Sequence, residues 1–292
     1  MTPNRTEQVI GETLERWASK VKPAGPGRWS FDLVNGRRLP GLATWREDWL
    51  ELRVPFPNRL TPELPWALLR ENSALGGVAR FVRHDERRIG LVGDVAIGSH
   101  ELTASRIEAA GASLRSAEAV GSGKASKSPG KATHPFPPDP AADGDPGWER
   151  IGEEGGWRVN KRDDGRYAVE LDAPGLMNQA FLERRGGRGE EPVISLDLLR
   201  AAGLSPVSRR AIALFLLGLT GRLRSVRGAV TREEPEVVRL EVALPVAPAA
   251  TAPELDLALE ALSLACRLGS REVKALGQEP LARIYLAHTM ED

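Results

Sequence analysis

Cysteine is nearly absent from this sequence, and the single one, Cys266, cannot form a disulfide within the chain. It falls in an apolar run with Leu262 and Leu264, where a thiol is typical of a small core residue. Stabilising disulfides belong to oxidising compartments. Since the N-terminus is also charged and has no apolar signal core, we expect a cytoplasmic protein.

Long hydrophobic runs and net charge are also missing. The longest apolar stretch, Ala211 to Leu219, is about half of what a membrane-spanning helix needs, so we expect a buried helix there. Acidic and basic residues balance at 40 each. The chain therefore has no net field to attract nucleic acid or an anionic membrane, and we expect neither as a partner.

Residues arranged for catalysis or metal binding are scarce. The four histidines, His84, His100, His134 and His288, show no pair at metal-ligand spacing. The stretch from Gly121 to Lys124 resembles a phosphate-binding loop, but Glu118 stands where glycine is required and Ala125 where a hydroxyl is required. Paired acidic residues fall at turns, where carboxylates face water. We expect a non-enzymatic protein with no bound metal and no cofactor.

What the sequence does contain is enough material for about two domains. Residues Ser122 to Gly147 combine prolines with glycine, serine, alanine and lysine, a composition that cannot bury enough surface to order itself. This predicts a flexible linker at 122–147. The first domain is then 1–121, and the second is 148–292.

The first half predicts a mixed α+β domain of order α-β-β-β-α-β-β-α. Apolar residues at helical spacing follow Pro3, and the turn Asn35-Gly36 joins two alternating segments as a β-hairpin. A helix begins near Thr61, a hairpin spans Val78 to Ile97, and a last helix runs from Glu101 to about Ala119. This plan predicts an antiparallel sheet with helices packed on it.

The second half repeats this plan. Leu68-Leu69 aligns with Leu216-Leu217, and the following hairpin and closing helix recur in order, which indicates an internal repeat. The polar, glycine-rich stretch Asp145 to Gly156 predicts that the second copy lacks the first helix. An apolar face within Pro280 to Met290 predicts an additional C-terminal helix.

The tryptophans are concentrated in the first half. Trp45 and Trp49 flank the charged turn Arg46-Glu47-Asp48, and burying both at a hairpin end is difficult. Because indole rings offer large, rigid contact areas, tryptophan is frequent at recognition surfaces. A core position remains the alternative for each. We predict that Trp45 and Trp49 bind a peptide segment of a partner.

The element order, with the helix end Leu68-Leu69-Arg70-Glu71-Asn72, Gly77 opening a hairpin and Leu91 near its middle, resembles the type III secretion chaperone-like family. The resemblance covers Thr2 to about Ala119 and, less well, Gly156 to about Ala275. It implies small α+β domains that hold a partly extended secretion substrate by its apolar segments. This chain is neutral and tandem, whereas those chaperones are usually acidic, single-domain homodimers.

From these observations we expect a chaperone-like protein that binds apolar segments of a protein partner. A two-domain scaffold or regulatory protein is the alternative, and an unrecognised enzyme is a third reading. The tandem arrangement also predicts a monomer whose two halves dock as an intramolecular pseudo-dimer.

Overall fold

Helices and groups of antiparallel strands follow one another along the described part of the chain, as the mixed hydrophobic spacing predicts. The computed structural model describes residues 5–35, 37–85, 88–121, 147–173, 176–185, 191–244 and 252–290. The predicted linker at 122–147 lies outside these residues, apart from Gly147.

The described residues of the first half form three helices and a six-stranded antiparallel sheet. Its elements are α1 (Arg5–Trp17), β1 (Ser19–Gly25), β2 (Arg28–Val34), β3 (Arg38–Arg46), β4 (Trp49–Arg59), α2 (Leu64–Asn72), β5 (Ala79–Arg83), β6 (Arg88–Ala96) and α3 (His100–Gly121).

In the second half, the part of the chain that the structure describes forms four helices and a second six-stranded antiparallel sheet. Its elements are α4 (Trp148–Glu154), β7 (Val159–Lys161), β8 (Tyr167–Ala173), β9 (Leu176–Arg185), β10 (Glu191–Arg200), α5 (Pro206–Thr220), β11 (Val226–Val230), β12 (Val237–Ala243), α6 (Ala252–Leu276) and α7 (Glu279–Met290).

The two sheets have the same topology. The strand order is β1-β2-β3-β4-β6-β5 in the first and β7-β8-β9-β10-β12-β11 in the second. In each sheet four consecutive strands are followed by a helix and a hairpin whose last strand returns beside the fourth. The α+β class, the tandem plan and the additional C-terminal helix are therefore confirmed.

Two details of the predicted order are wrong. A fourth strand, β1, precedes the three expected in the first half. It contains Pro23, and an edge strand tolerates proline because an N–H group is not needed on the side that has no neighbouring strand. The second half does begin with a short helix, α4. Trp148 and Ile151 are buried one turn apart on it, and Gly152 lets Val159 approach where a Cβ would clash.

Helices α1 and α3 pack on one face of the first sheet. Leu50, Leu52 and Val54 of β4 are fully buried on this face. At Gly93 of β6, on the same face, a Cβ atom would lie 3.9 Å from the Leu114 side chain and 4.0 Å from that of Ala110, both on α3. Helix α1 packs on this face too, since the rings of Trp17 and Phe31 meet edge to face.

The described residues form two compact units that do not follow the order of the chain completely. The first unit comprises α1, β1–β6 and α3, whereas α2 packs with the elements from α4 onward in the second unit. The predicted first domain of 1–121 includes α2, because this helix lies between strands of the first sheet in the order of the chain. The packing of α2 depends instead on side chains that meet residues far along the chain.

Helix α2 is held in the second unit by apolar packing and polar contacts. At Gly228 of β11, a Cβ atom would lie 2.9 Å from Leu216 of α5 and 3.4 Å from Leu69 of α2. The Arg209 guanidinium lies over the Trp66 ring, 5.3 Å from its centroid. The carboxylate of Glu236 pairs with Arg209 and also with Arg70 of α2. The repeated helices α2 and α5 therefore share one surface.

Candidate functional site

The structure places the two predicted peptide-binding tryptophans on the same hairpin but on opposite faces of the sheet. In the β3–β4 register, Trp45 lies opposite Leu50, and Trp49 lies opposite Arg46. Side chains alternate along a strand, so the fully buried Leu50 marks the Trp45 face as the helix-covered one. Trp45 and Trp49, both half-buried, are not brought together into one joint surface.

Trp45 lies at the rim of the core of the first unit. Its backbone N–H donates a 2.7 Å hydrogen bond to the carbonyl oxygen of Gly27. Gly27 has a φ of 61°, and a Cβ atom there would lie 2.9 Å from the Trp45 carbonyl oxygen. The indole Nε1 is buried and has no hydrogen-bond acceptor among the described residues. The ring therefore contributes to packing at the rim of this core.

Trp49 belongs to the other face, which we call the open sheet face. It consists of the side chains of β2, β3 and β4 that point away from Leu50 and Leu52. No helix of the first unit, among the described residues, packs on it. Val34 and Leu42 are 47% and 40% exposed there. An apolar sheet face with this exposure is a candidate recognition surface.

Charged side chains lie between these apolar residues. Arg53, directly opposite Leu42, donates to the Glu51 carboxylate at 3.1 Å. The carboxylate of Asp32 pairs with Arg38 at 3.4 Å and with Lys20 at 3.8 Å. These ion pairs keep the face hydrated between its apolar residues, so a bound segment could place apolar side chains beside polar ones.

Toward β5 and β6 the same face carries buried charged side chains instead of exposed apolar ones. Arg80 and Asp94 form an ion pair of 2.8 Å there, and both side chains are almost completely buried. A similar pair joins Arg227 and Glu241 in the second unit at 3.0 Å. Buried charges of this kind need their partners, since a single uncompensated charge is costly. We therefore assign both ion pairs a structural role.

Strand addition at the edge of the first sheet is disfavoured. β1 is the outermost strand beside β2, and it carries Lys20, Lys22 and Pro23. Lysine and proline on an edge strand oppose pairing with another chain. Pairing of another strand with β1 is therefore disfavoured.

In the described part of the chain, the histidine and cysteine side chains do not come together in a metal-binding cluster. No group of three His, Cys, Asp or Glu side chains could hold a metal ion there. Cys266 is buried, and the Nδ1 atom of His84 lies 3.4 Å from Arg53. A cavity of about 420 Å³ in the second unit has Asp197, Arg200 and Arg239 among its lining residues, and Asp197 and Arg239 are paired with each other at 3.1 Å.

A second exposed apolar surface lies on α6 and was missed from the sequence. We call it the leucine row. It consists of Leu257, Leu264 and Leu268, each nearly half exposed, with Ala261 between them. The signal was present as apolar residues four, three and four positions apart, outside the positions that α6 buries against the sheet.

Comparison with known proteins leaves the family open. No protein-family model, curated protein or solved structure matches the chain. Among the described helices, none combines the length and the apolar character needed to cross a membrane.

Proposed function

We propose that this protein binds segments of another polypeptide on the open sheet face of its first unit, and that it does so without catalysing a reaction. One observation carries the proposal. Val34 and Leu42 are exposed on a sheet face that also presents Trp49, and no described helix of that unit covers this face. Apolar side chains left in water in this way favour association with a partner.

The chemistry of the face supports a polypeptide as the ligand. A tryptophan side chain offers on the order of 200 Å² of contact area, and its rigidity limits the entropy lost on binding. Leu42 and then Val34 lie farther along the same face, each at a level of β3 four residues beyond the previous one, and Glu51 and Arg53 provide hydrogen-bonding groups between Trp49 and Leu42. A segment with alternating apolar and polar residues would match this arrangement.

The resemblance to type III secretion chaperones points to the same kind of ligand, an apolar segment held on a sheet surface. We include a chaperone-like role in the proposal on that ground. The contribution of Trp45 is revised, because its face is the helix-covered one. Trp49 then remains as the binding residue, joined by Leu42 and Val34.

A peptide-binding experiment tests the proposal. The full-length protein would be screened against an immobilised library of short peptides of varied apolar and charged composition. For the peptides that bind, we expect Trp49→Ala and Leu42→Ser each to weaken affinity by about tenfold or more, which corresponds to about 1.4 kcal/mol. Circular dichroism would verify that the fold is retained.

The matched control is Leu264→Ser, which removes an exposed leucine from the second unit. It should leave peptide affinity unchanged. If no peptide binds, or if all three variants lower affinity equally, the open sheet face is not the binding site. If the peptide experiment confirms the site, a photo-crosslinking residue placed at position 42 in the native cell would identify the partner protein.

A scaffold that joins two proteins is the second candidate. The observation that favours it is the leucine row, which gives the second unit an apolar surface of its own. A scaffold would lose different partners when the two surfaces are changed separately, whereas a single-site binder would lose the same partner or none.

A further inference from the structure

The leucine row of α6 takes no part in peptide binding at the open sheet face, and its spacing is that of a helix-packing surface. Leu257, Ala261, Leu264 and Leu268 follow one another at intervals of four, three and four residues. This is the spacing of the inner positions of a coiled coil, where one helix packs against another over several turns. From Leu257 to Leu268 the row extends about 17 Å along the helix.

The opposite side of α6 already packs within its own unit. Leu255, Leu259, Leu262 and Val273 are fully buried. Leu257, Leu264 and Leu268 are 48%, 47% and 47% exposed, so they form a second apolar stripe outside that core. The row therefore has room for one further helix.

The row is complementary to itself when two copies of α6 run antiparallel. With a twofold axis passing between Leu262 and Ser263, Leu257 of one copy faces Leu268 of the other. Ala261 of one copy then faces Leu264 of the other, which places a small side chain opposite a large one in each central layer. Every apolar position of the row meets an apolar position.

The charges beside the row follow the same symmetry. Glu260 and Arg267 are exposed and lie on the outer edge of the row, seven residues apart. In the antiparallel arrangement Glu260 of each copy faces Arg267 of the other, which gives an acid and a base in contact at both ends. A parallel arrangement would instead set Glu260 near the buried Ala265 and form no such pair.

The inner edge of the row is lined by small residues. Ala258 and Ala265 are buried against the unit and have no long side chain that would hold a second helix away. The two edges therefore differ in their contribution, since the inner one permits close approach and the outer one specifies orientation.

We propose that this protein forms a symmetric dimer in which the leucine rows of two α6 helices pack antiparallel. A stable interface usually buries about 800 Å² on each partner, and half-exposed leucines along about three helical turns supply less than that. The dimer is therefore a reversible one, populated at micromolar and higher protein concentrations. It replaces the monomer expected from the sequence and is independent of peptide binding at the open sheet face.

Sedimentation equilibrium of the full-length protein over a range of concentrations tests the proposal. We expect concentration-dependent dimerisation for the unmodified chain and a monomer at all concentrations for Leu264→Glu. Glu260→Arg and Arg267→Glu should each weaken dimerisation by about tenfold, since each variant replaces two exposed ion pairs with two like-charge contacts. The combined variant, Glu260→Arg with Arg267→Glu, should restore it.

Two further variants keep the test specific. Lys274→Glu changes a charge on the same edge of α6 but beyond the row, and it should leave dimerisation unchanged. In a Cys266→Ser background, Ala261→Cys combined with Leu264→Cys should form an intermolecular disulfide on oxidation, whereas Leu257→Cys alone should not. A monomeric unmodified chain, or a dimer that the charge reversals and Leu264→Glu leave intact, would overturn the proposal.

Discussion

The side-chain amide of Asn72, at the end of α2, donates a 2.9 Å hydrogen bond to the carbonyl oxygen of Gly228 in β11, although 156 residues separate the two in sequence. Both groups are buried. Gly228 lies in the middle of an edge strand, and its missing side chain admits Leu69 and Leu216 against the backbone. The bond connects a helix from the first half of the chain to the sheet of the second unit.

Replacing Asn72 with alanine should therefore destabilise the second unit. A buried carbonyl that loses a donor costs about 1–3 kcal/mol. We expect faster hydrogen exchange in β11, measured by mass spectrometry of the native protein. The control is Asn35→Ala, which removes a 2.7 Å hydrogen bond to the Arg115 carbonyl in the first unit and should leave β11 protected. Loss of protection in β5 instead of β11 would place α2 with the first sheet.

The ion pair of Arg80 and Asp94 should be far more sensitive than an exposed pair. Changing Asp94 to asparagine leaves a buried guanidinium without its counter-charge, at a cost of about 3–5 kcal/mol. Replacing both residues with apolar ones of similar size should recover most of this loss. The exposed pair of Arg16 and Glu108 provides the comparison, since Glu108→Gln should cost less than about 1 kcal/mol.

Urea denaturation of these variants measures the difference in unfolding free energy. If Asp94→Asn proves as mild as Glu108→Gln, the pair is reached by water and its burial has no energetic consequence.

Substitutions at Trp45 and at Trp49 should have different effects, the first mainly on stability and the second mainly on peptide binding. Trp45 lies on the helix-covered face, so Trp45→Ala should lower the free energy of unfolding by roughly 3 kcal/mol, as large-to-small changes at a core do. Trp49→Ala should cost less than half of that and should instead weaken peptide binding. Equal stability losses for the two variants, measured by thermal and urea unfolding, would contradict the assignment of their faces.

Glu279, in the first turn of α7, should give a small dependence of stability on acid pH. The hydrogen bond from Arg283, followed by that from Ser205, lowers the pKa of the Glu279 carboxyl below its usual value. A lowered folded-state pKa means that the stabilisation is complete above the unfolded-state pKa of about 4.3 and is lost as pH falls through the folded-state pKa. The group is exposed, so the effect is modest.

Nuclear magnetic resonance titration of Glu279 should show the lowered pKa directly. The stability difference between the unmodified chain and Glu279→Gln should be largest near neutral pH and should shrink as the carboxyl becomes protonated. A difference that stays constant through the acid range would show that the two hydrogen bonds do not favour the ionised form.

Much of the fold could be predicted from the sequence because the evidence was local. The two alternating segments predicted to form a hairpin are β2 and β3. Serine followed by proline is likewise a local signal for the start of a helix, and at α5 the Ser205 side chain accepts a hydrogen bond from the Ser208 amide. Short elements with breaking residues were harder. β1 was not predicted because it contains Pro23, which is tolerated there only because β1 is an edge strand. α4 was not predicted because it contains Gly152, which is accommodated through its close contact with Val159.

The placement of Trp45 and Trp49 on opposite faces has a simple geometric cause. The prediction took Arg46, Glu47 and Asp48 as the turn, which would set Trp45 opposite Trp49. The observed turn contains only Glu47 and Asp48, because Arg46 pairs with Trp49. A change of one residue in register moves a side chain to the other face of a sheet. Glu47, with a φ of 54°, adopts the left-handed conformation that the shorter turn uses.

Hydrophobic periodicity and turn residues by themselves determined that this chain forms two copies of one α+β plan, because those signals act over a few neighbouring residues. The placement of α2 beside β11, the separation of Trp45 from Trp49, and the exposure of the leucine row followed only from the packed structure. Each depends on which distant residues occupy the same space, and a buried hydrogen bond such as that from Asn72 to Gly228 exists only once both elements have met.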